Sequence, residues 1–477
     1  MALTKAAINP RILRAKYAVR GPLALKAEEI KKDLQKDPNS HKFKSVTFLN
    51  IGNPQQLDQK PLTFVRQVVS LVQYPELLKS PSPLFPKDTL NRARTLLQHI
   101  GSVGAYSHSK GIPYIREKVA EFISKRDGFP ADPEHIFLSA GASSAVSKIM
   151  SMVAANSNVG VLVPVPQYPL YSASSALTGS NFIGYYLDEK AGWATNVEAI
   201  KKSLADARKN GVDPKLLVVI SPGNPTGSVL RDEEIRNILR LAKEENLTVV
   251  ADEVYQTNIF KSHASDFVSF KRVWSELCAE DSSFQNVGLV SLHSTSKGFF
   301  GECGQRGGYM EVVGMDPEVL DELYKMASIE LCPTVTGQVI TETMVNPPKA
   351  GDESYEVYAK ERDAILSTLR ERAMQLYETF NKMEGVECQK PQGAMYLFPR
   401  ITVPAKAVEQ AAKENLAPDA FYAMELLKNT GICVVPGSGF GQEENTLHFR
   451  TTFLAPGGED LSNAFVNFHK EFMRKYS

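Results

Sequence analysis

One lysine stands among hydroxyl side chains and glycines in the segment Ser291-Leu-His-Ser-Thr-Ser-Lys-Gly-Phe-Phe-Gly-Glu-Cys-Gly-Gln-Arg-Gly-Gly308. The amine of Lys297 can bond covalently to an aldehyde, and glycines let the backbone approach a ligand closely. Ser294, Ser296 and Arg306 supply hydroxyl donors and a guanidinium fork, which suit a phosphate. Pyridoxal phosphate carries both an aldehyde and a phosphate, so the segment predicts a site for this cofactor. A basic turn on a solvated loop is the alternative.

Two other apolar stretches also end in polar groups. Leu-Leu-Val-Val-Ile-Ser-Pro-Gly leads to Asn224, and Leu-Thr-Val-Val-Ala leads to Asp252 and Tyr255. Each reads as a short buried strand, as does the run before Lys297. Ligands bind outside the carboxyl ends of parallel strands in open α/β sheets. We therefore expect these four side chains to meet in one site, which weighs against the solvated-loop alternative.

A second phosphate contact is predicted in Leu-Ser-Ala-Gly141-Ala142-Ser143-Ser. There a glycine-rich turn opens a helix, whose first backbone amides point at an anion. Taken alone the signal is weak, and it gains weight from the serines and arginine near Lys297.

The elements that must position these residues alternate along the middle of the chain. Apolar runs that end in turns alternate with helical stretches such as Asp232-Glu-Glu-Ile-Arg-Asn-Ile-Leu-Arg-Leu-Ala-Lys243. This pattern predicts an α/β fold, with a mostly parallel sheet flanked by helices. Turn-rich Asn346–Asp352 precedes a long amphipathic stretch from Tyr355 to about Lys382, so a smaller α+β domain is expected beyond it. The predicted division is an N-terminal arm at 1–40, a small domain at 41–100 and 351–477, and a large cofactor-binding domain at 101–350.

Composition and charge exclude several functional classes. The 54 basic and 54 acidic residues cancel without a basic tract, so there is no electrostatic case for nucleic acid or an anionic membrane surface. No segment is long and apolar enough to span a membrane, and the start lacks a signal-peptide core, so secretion is not expected. The five cysteines lack metal-ligand spacing, which fits reduced thiols and no metal site. We expect a cytoplasmic protein, with mitochondria and peroxisomes as the alternatives.

Phrases spread over nearly the whole chain carry a family resemblance. They are Tyr17-Ala-Val-Arg-Gly-Pro, Ile51-Gly-Asn-Pro, Gly104-Ala-Tyr-Ser, Val163-Pro-Val-Pro-Gln-Tyr-Pro-Leu-Tyr171, the segment from Lys297 to Gly308, and Val435-Pro-Gly-Ser-Gly-Phe-Gly441. They resemble class I aminotransferases of pyridoxal-phosphate fold type I, and most of all the alanine aminotransferase family. Arg306 follows Lys297 by nine positions, as in that family; the spacing is one shorter in many other class I enzymes.

The resemblance implies roles around the cofactor ring and the substrate. It implies that Asp252 binds the protonated pyridine nitrogen, and that Asn224 and Tyr255 donate hydrogen bonds to the phenolic oxygen. Arg450 and the backbone of Gly52 match groups that bind the substrate α-carboxylate. The bland alternatives are an Asx turn at Asn224, a packed Tyr255 and an exposed strand arginine at Arg450.

Further matches concern the phosphate, the ring face and the partner subunit. The phosphate residues are implied to be Ala142, Ser143, Ser294, Ser296 and Arg306. Tyr168 matches the aromatic ring that stacks on the pyridine, with a buried core tyrosine as the alternative. Tyr106 matches a tyrosine that reaches the phosphate across a subunit interface. A homodimer is therefore implied, with the N-terminal arm packed on the partner. Cys303 is expected to pack beside the cofactor loop rather than to act as a nucleophile.

The implied reaction is L-alanine plus 2-oxoglutarate giving pyruvate plus L-glutamate, a ping-pong exchange in which Lys297 serves as general base and acid. A glutamate:glyoxylate aminotransferase shares nearly all these motifs and is the nearest alternative. Elimination by a lyase of the same fold is a further one. A non-catalytic binding module would be expected to have lost Lys297, Asp252, Arg306 or Arg450, yet all four are present.

Overall fold

The computed structural model describes residues 3–17, 19, 21–79, 82–260 and 267–477. Ala18 and Arg20 of the motif that begins at Tyr17 lie outside these residues, as do Met1 and Ala2 of the N-terminal stretch. The described residues before 101 form helices and one short strand. These are α1 (Pro10–Arg14), α2 (Pro22–Lys36), β1 (Thr47–Phe48), α3 (Thr63–Gln73) and α4 (Lys87–Ile100).

Within the described residues, seven strands build one large sheet. They are β2 (Ile136–Leu138), β3 (Val159–Val165), β4 (Asn181–Tyr186), β5 (Asp213–Ile220), β6 (Thr248–Asp252), β7 (Leu289–Ser294) and β8 (Gly308–Val313). Their order is β2-β8-β7-β6-β5-β3-β4, and β8 runs antiparallel to both neighbours while β3 to β7 pair in parallel. All residues of β3, β7 and β8 are buried, as expected for a sheet covered on both faces. The predicted mostly parallel α/β fold is confirmed.

Helices cover this sheet. They are α5 (Pro113–Asp127), α6 (Ala142–Val153), α7 (Leu170–Thr178), α8 (Val197–Lys209), α9 (Asp232–Glu245), α10 (Phe270–Glu280), α11 (Pro317–Ile329) and α12 (Val335–Val345). Helix α9 shows why such segments are helical: three acidic residues occupy its first turn, and Ile235, Ile238, Leu239 and Ala242 form one buried stripe. Helices α8, α9 and α10 share one hydrophobic cluster with the strands, and α6 and α11 share another.

The C-terminal part combines helices with short strands. Its elements are α13 (Tyr355–Asn381), β9 (Val386–Glu387), β10 (Tyr396–Leu397), β11 (Arg400–Ile401), α14 (Ala405–Lys413), α15 (Pro418–Thr430), β12 (Ile432–Cys433), β13 (Val435–Pro436), β14 (Phe449–Thr452) and α16 (Gly458–Tyr476). Strand β14 lies between β10 and β13 and is antiparallel to both, whereas β12 pairs in parallel with β1 from the opposite end of the chain.

Hydrophobic packing divides the N-terminal hundred residues. Ala27, Ile30 and Leu34 of α2 belong to one cluster with the C-terminal helices and strands. Helices α3 and α4 instead share a cluster with α5 and α12. The predicted division of the chain into an arm and two domains stays a prediction.

All five cysteines carry free thiols in the structure. None of the described helices is both long enough and apolar enough to cross a membrane.

Candidate active site

A cavity of about 400 Å³ opens where β2, β3, β5, β6 and β7 end. Twelve of the thirteen predicted site residues line it: Gly52, Ala142, Ser143, Tyr168, Asn224, Asp252, Tyr255, Ser294, Ser296, Lys297, Arg306 and Arg450. Tyr106 is the exception, because its side chain is 79% exposed and lies outside the cavity lining. The sheet topology thus brings together polar groups that are far apart in the sequence, as the rule for parallel strand ends predicts.

Lys297 lies three residues beyond the end of β7, and its amine faces the backbone of Gly52. Lysine Nζ donates a hydrogen bond to the Gly52 carbonyl over 3.2 Å and lies 5.9 Å from the centroid of the Tyr255 ring. A Cβ atom at residue 52 would lie 2.2 Å from the hydroxyl of Tyr396 and 3.5 Å from lysine Nζ. Glycine is therefore required there, because a side chain would occupy the space beside the amine.

Asp252 ends β6 with one carboxylate oxygen paired and the other unpaired. The Tyr171 hydroxyl donates to Oδ2 over 2.7 Å, whereas Oδ1 is buried and has no hydrogen-bond partner among the described residues. Burial raises the pKa of Asp252, opposed by the Tyr171 hydrogen bond, the nearby backbone amide of Val254 and the charge of Lys297. A buried carboxylate oxygen without a donor is costly, so this atom calls for a ligand that brings a proton. The protonated ring nitrogen of pyridoxal phosphate fits it.

Arg306 lines the same cavity and is held by hydroxyls and backbone carbonyls. Its Nη1 donates to the Ser296 hydroxyl over 3.3 Å and to the Cys303 carbonyl over 3.2 Å, and its Nη2 donates to the Ala140 carbonyl over 2.8 Å and to the Ser143 hydroxyl over 3.2 Å. Gly141, at φ +77°, precedes α6.

This end of the cavity has the features of an anion site. A Cβ on Gly141 would lie 2.5 Å from Nη2 of Arg306, so the guanidinium packs directly on the backbone at the start of α6. Hydroxyls, a guanidinium and free amides of a helix N-terminus converge there. A phosphate group fits these donors.

Arg450, in β14, is one of the most deeply buried charged groups of the structure, at 1% exposure. One Nη donates to Oδ1 of Asn224 over 3.0 Å, and the other donates to the carbonyl of Asn50. The guanidinium carbon lies 4.1 Å from the centroid of the Tyr396 ring and 4.7 Å from that of Phe440. Arginine Nε has no partner among the described residues. This buried cation has no carboxylate partner in those contacts and so suits a ligand carboxylate.

Two pairs of tyrosines line the remaining walls. The hydroxyls of Tyr17 and Tyr168 lie 2.6 Å apart, and those of Tyr255 and Tyr396 lie 3.5 Å apart. Burial raises the pKa of Tyr168 and of Tyr255. For Tyr396 burial acts in the same direction, but the positive charges of Lys297 and Arg450, with the hydrogen bond that Tyr255 donates, outweigh it and lower its pKa. All four phenols face the cavity, so the site has an aromatic wall as well as charged ends.

Sequence reasoning missed three residues at this cavity: Tyr396 and Tyr17, which line it, and Tyr171, the hydrogen-bond donor to Asp252. Tyr17 and Tyr171 belong to motifs that the resemblance uses, so their positions alone could have nominated them. Tyr396 has no such signal, because it reaches the cavity through the pairing of β10 with β14. Cys303 lines the cavity too, and burial raises the pKa of its thiol, as suits a packing residue.

Comparison with known proteins agrees with this geometry. Residues 44–467 match the family described as aminotransferase class I and II. A mitochondrial alanine aminotransferase of Saccharomyces cerevisiae is 54% identical over 483 residues, which cover 99% of this chain and 81% of that protein. A second protein of the same yeast, named inactive alanine aminotransferase, is 50% identical over 99% of this chain and 95% of its own length. Among solved structures, an alanine aminotransferase from Pyrococcus furiosus superimposes with a TM-score of 0.75 at 25% identity, covering 97% of this chain and all of that one.

Proposed function

The chain belongs to the class I and II aminotransferases, and we propose that it transfers the amino group of L-alanine to 2-oxoglutarate, giving pyruvate and L-glutamate. Its cofactor is pyridoxal phosphate. The observation that carries the proposal is the convergence of Lys297, the unpaired oxygen of Asp252, Arg306 and Arg450 in one cavity. An amine, a proton acceptor, a phosphate site and a carboxylate site are the four parts that such a transfer requires.

Pyridoxal phosphate, when bound, supplies an aldehyde for Lys297 and a ring that withdraws electrons from the substrate Cα. Asp252 Oδ1 holds the proton of the ring nitrogen, which keeps the ring electron-withdrawing. The phosphate is held by Arg306 and the residues beside it: Ala142, Ser143, Ser294 and Ser296. Tyr168 covers one face of the ring.

Asn224 is oriented for its role by Arg450. Because Nη1 of Arg450 donates to Asn224 Oδ1, the amide nitrogen of Asn224 points the other way and is free to donate. We assign that nitrogen, together with the hydroxyl of Tyr255, to the phenolic oxygen of the cofactor. Two donors favour the anionic form of that oxygen near neutral pH.

Lys297 Nζ removes the proton from the substrate Cα and donates it to the cofactor carbon that carried the aldehyde. Its contact with the Gly52 carbonyl keeps the amine beside the backbone that we assign, with Arg450, to the substrate carboxylate. Holding the carboxylate at Arg450 and the proton acceptor at Nζ fixes the substrate Cα between them.

We also propose a homodimer in which Tyr106 reaches the phosphate of the partner subunit. Its side chain is exposed and lies outside the cavity of its own chain, which is the disposition that such a role requires. Light scattering after size-exclusion chromatography should give twice the mass of 52.6 kDa. Replacing Tyr106 by Phe should weaken cofactor binding without dissociating the dimer; a monomer that binds cofactor at full strength would reject the proposal.

The experiment that tests the function is the visible absorption of the purified protein with pyridoxal phosphate. L-alanine should bleach the band of the lysine-bound cofactor with release of one pyruvate per site, and 2-oxoglutarate should restore it after excess alanine is removed. Lys297→Ala should show no such band. A band that alanine leaves unchanged would reject alanine as the donor.

The same assay separates the two other reactions that share these motifs. Glutamate is a substrate of both enzymes, so 2-oxoglutarate restores the band in either case. Restoration by glyoxylate at a comparable or higher rate, with release of glycine, would favour a glutamate:glyoxylate aminotransferase. Release of product without any oxo acid acceptor would indicate elimination. For the compartment, we retain the cytoplasm as our proposal and mitochondria as the alternative, and cell fractionation decides between them.

A further inference from the structure

Tyr396 touches both halves of the proposed site. Its ring packs on Arg450, whose guanidinium carbon lies 4.1 Å from the ring centroid, and its hydroxyl lies 3.5 Å from that of Tyr255. Asn224 accepts from the same guanidinium over 3.0 Å. The arginine assigned to the substrate carboxylate and the two donors assigned to the cofactor's phenolic oxygen are thus joined through Tyr396 and Arg450.

The ring of Tyr396 restrains the plane of the guanidinium. Phe440 is a second aromatic neighbour, with its ring centroid 4.7 Å from the guanidinium carbon, so Arg450 contacts two aromatic rings. A guanidinium is weakly hydrated and stacks well, which lets it remain charged at 1% exposure. With its two terminal nitrogens bonded to Asn224 and Asn50, the group has little freedom to rotate.

The hydroxyl of Tyr396 sits near the lysine amine. A Cβ placed on Gly52 would lie 2.2 Å from this hydroxyl and 3.5 Å from Lys297 Nζ. Burial raises the pKa of Tyr255, whereas the charges of Lys297 and Arg450, with the hydrogen bond that Tyr255 donates, outweigh burial and lower the pKa of Tyr396. In the structure the Tyr255 hydroxyl donates to that of Tyr396. When the Tyr255 proton points at a ligand instead, the Tyr396 hydroxyl is free to donate to the Tyr255 oxygen and to strengthen that bond.

We propose that Tyr396 is a positioning residue that acts through two neighbours. Its ring holds Arg450 in the plane that receives the substrate carboxylate, and its hydroxyl donates to Tyr255, which in turn donates to the phenolic oxygen of the cofactor. This inference rests on the proposed function and adds a residue that links substrate binding to the cofactor's protonation.

Tyr396→Leu and Tyr396→Phe separate the ring from the hydroxyl. In cofactor-free protein, phenylglyoxal should modify Arg450 roughly fivefold faster in the Leu variant than in the wild type, and at the wild-type rate in the Phe variant, as peptide mass spectrometry can measure. Phe440→Leu should show a smaller acceleration, because that ring is more distant. In the loaded enzyme, 2-aminoisobutyrate, which lacks a Cα hydrogen, should bind roughly tenfold more weakly to the Leu variant.

The hydroxyl has its own readout in the absorption of the bound cofactor. Without the donation from Tyr396, Tyr255 stabilises the anionic phenolic oxygen less, so in Tyr396→Phe the pH at which the visible band changes should move upward by roughly half a unit or more. Tyr185→Phe is the matched control. The buried Tyr185 hydroxyl donates to the Val218 carbonyl over 2.7 Å, and neither residue lines the cavity. That control should leave the pH of the change where it is in the wild type.

The inference is overturned if phenylglyoxal modifies Arg450 at the wild-type rate in Tyr396→Leu and the visible band of Tyr396→Phe changes at the wild-type pH. Tyr396 would then be a packing residue. Should the Leu variant fail to fold, the Phe variant and its band decide alone. Should wild-type protein ignore L-alanine, the proposed function fails, yet the phenylglyoxal comparison still confirms or rejects the restraint on Arg450.

Discussion

The two arginines of the cavity are held in different ways. Arg306 bonds to Ser296 and Cys303, a few residues away in the sequence, and to the turn that precedes α6. Arg450 is enclosed by Asn50, Asn224, Tyr396 and Phe440, which come from four separate segments. Arg306 is thus held by hydroxyls and backbone carbonyls of its own segment and of one distant turn. The site of Arg450 exists only when most of the chain has folded.

This difference has a physical origin in what each end must bind. A phosphate needs several hydrogen-bond donors, and turns and a helix N-terminus at the edge of the sheet supply them from free backbone amides. A substrate carboxylate must be held at one angle to the reacting carbon and then released. Contacts with two aromatic rings and fixed hydrogen bonds give the second arginine that angle, although burying a cation is unfavourable.

The largest expected effect is at the enclosed arginine. Arg450→Lys replaces a planar fork by a point charge that cannot donate to Asn50 and Asn224 together and keep the contact with the two rings. We expect kcat/KM for L-alanine and for 2-oxoglutarate to fall by on the order of 10²-fold, with the cofactor band retained. Steady-state kinetics with each substrate provides the measurement. A loss of less than about fivefold would show that this end needs only a positive charge, and the contrast between the two arginines would disappear.

A smaller effect is expected at Arg306. Arg306→Gln removes a charged donor from the proposed phosphate site, so the Kd of pyridoxal phosphate should rise by roughly 10- to 100-fold. At saturating cofactor, KM for L-alanine should change little, because Arg450 is untouched. Equilibrium dialysis followed by kinetics tests both statements. An altered KM at full occupancy would mean that the two ends are coupled more tightly than their separate contacts indicate.

The smallest expected effect on catalysis comes from Glu253, next to Asp252 but outside the cavity lining. Burial raises its pKa to about 8, opposed by Arg126 and by the hydrogen bond from the Phe270 amide. Between the ordinary pKa of a glutamate and about 8, the folded state keeps a proton on Glu253 that the unfolded state has released. The stability that Glu253 contributes therefore decreases as pH rises through this range.

Glu253→Gln should remove this contribution to the pH dependence. Relative to the variant, wild-type protein should lose roughly 1–2 kcal/mol of unfolding free energy between pH 6 and 8, while transfer activity changes less than about twofold. Urea unfolding of cofactor-free protein at several pH values is the measurement. Glu444→Gln, at an exposed position, is the control. Parallel curves for wild type and Glu253→Gln would contradict the assignment.

Much of the fold follows from local patterns in the sequence. Apolar runs that end in turn residues predict the strands that lead to Asn224, Asp252 and Lys297, and the rule for parallel sheets places their ends together. The packing of α2 on the C-terminal helices has no such signal, because the apolar stripe of α2 shows that it is buried but does not identify its neighbour.

The site divides in the same way. Ser294, Ser296 and Arg306 are predictable because one short segment carries them with the lysine. Tyr396 is not, since its place in the cavity depends on the register Tyr396↔Thr452 between two-residue β10 and β14. Register between such short strands is set by packing across the whole domain rather than by their own residues. The contact of Tyr171 with Asp252 likewise depends on how α7 docks on the sheet.

The pairing of β1 with β12 has a consequence for biosynthesis. Thr47 and Phe48 take Ile432 and Cys433 as their partners, so the first strand leaves the ribosome long before its neighbour is made. At ordinary rates of translation the interval is roughly 20 to 80 s. During that time β1 lacks the neighbour that completes its backbone hydrogen bonds, and its length of two residues limits the edge that it offers to another nascent chain.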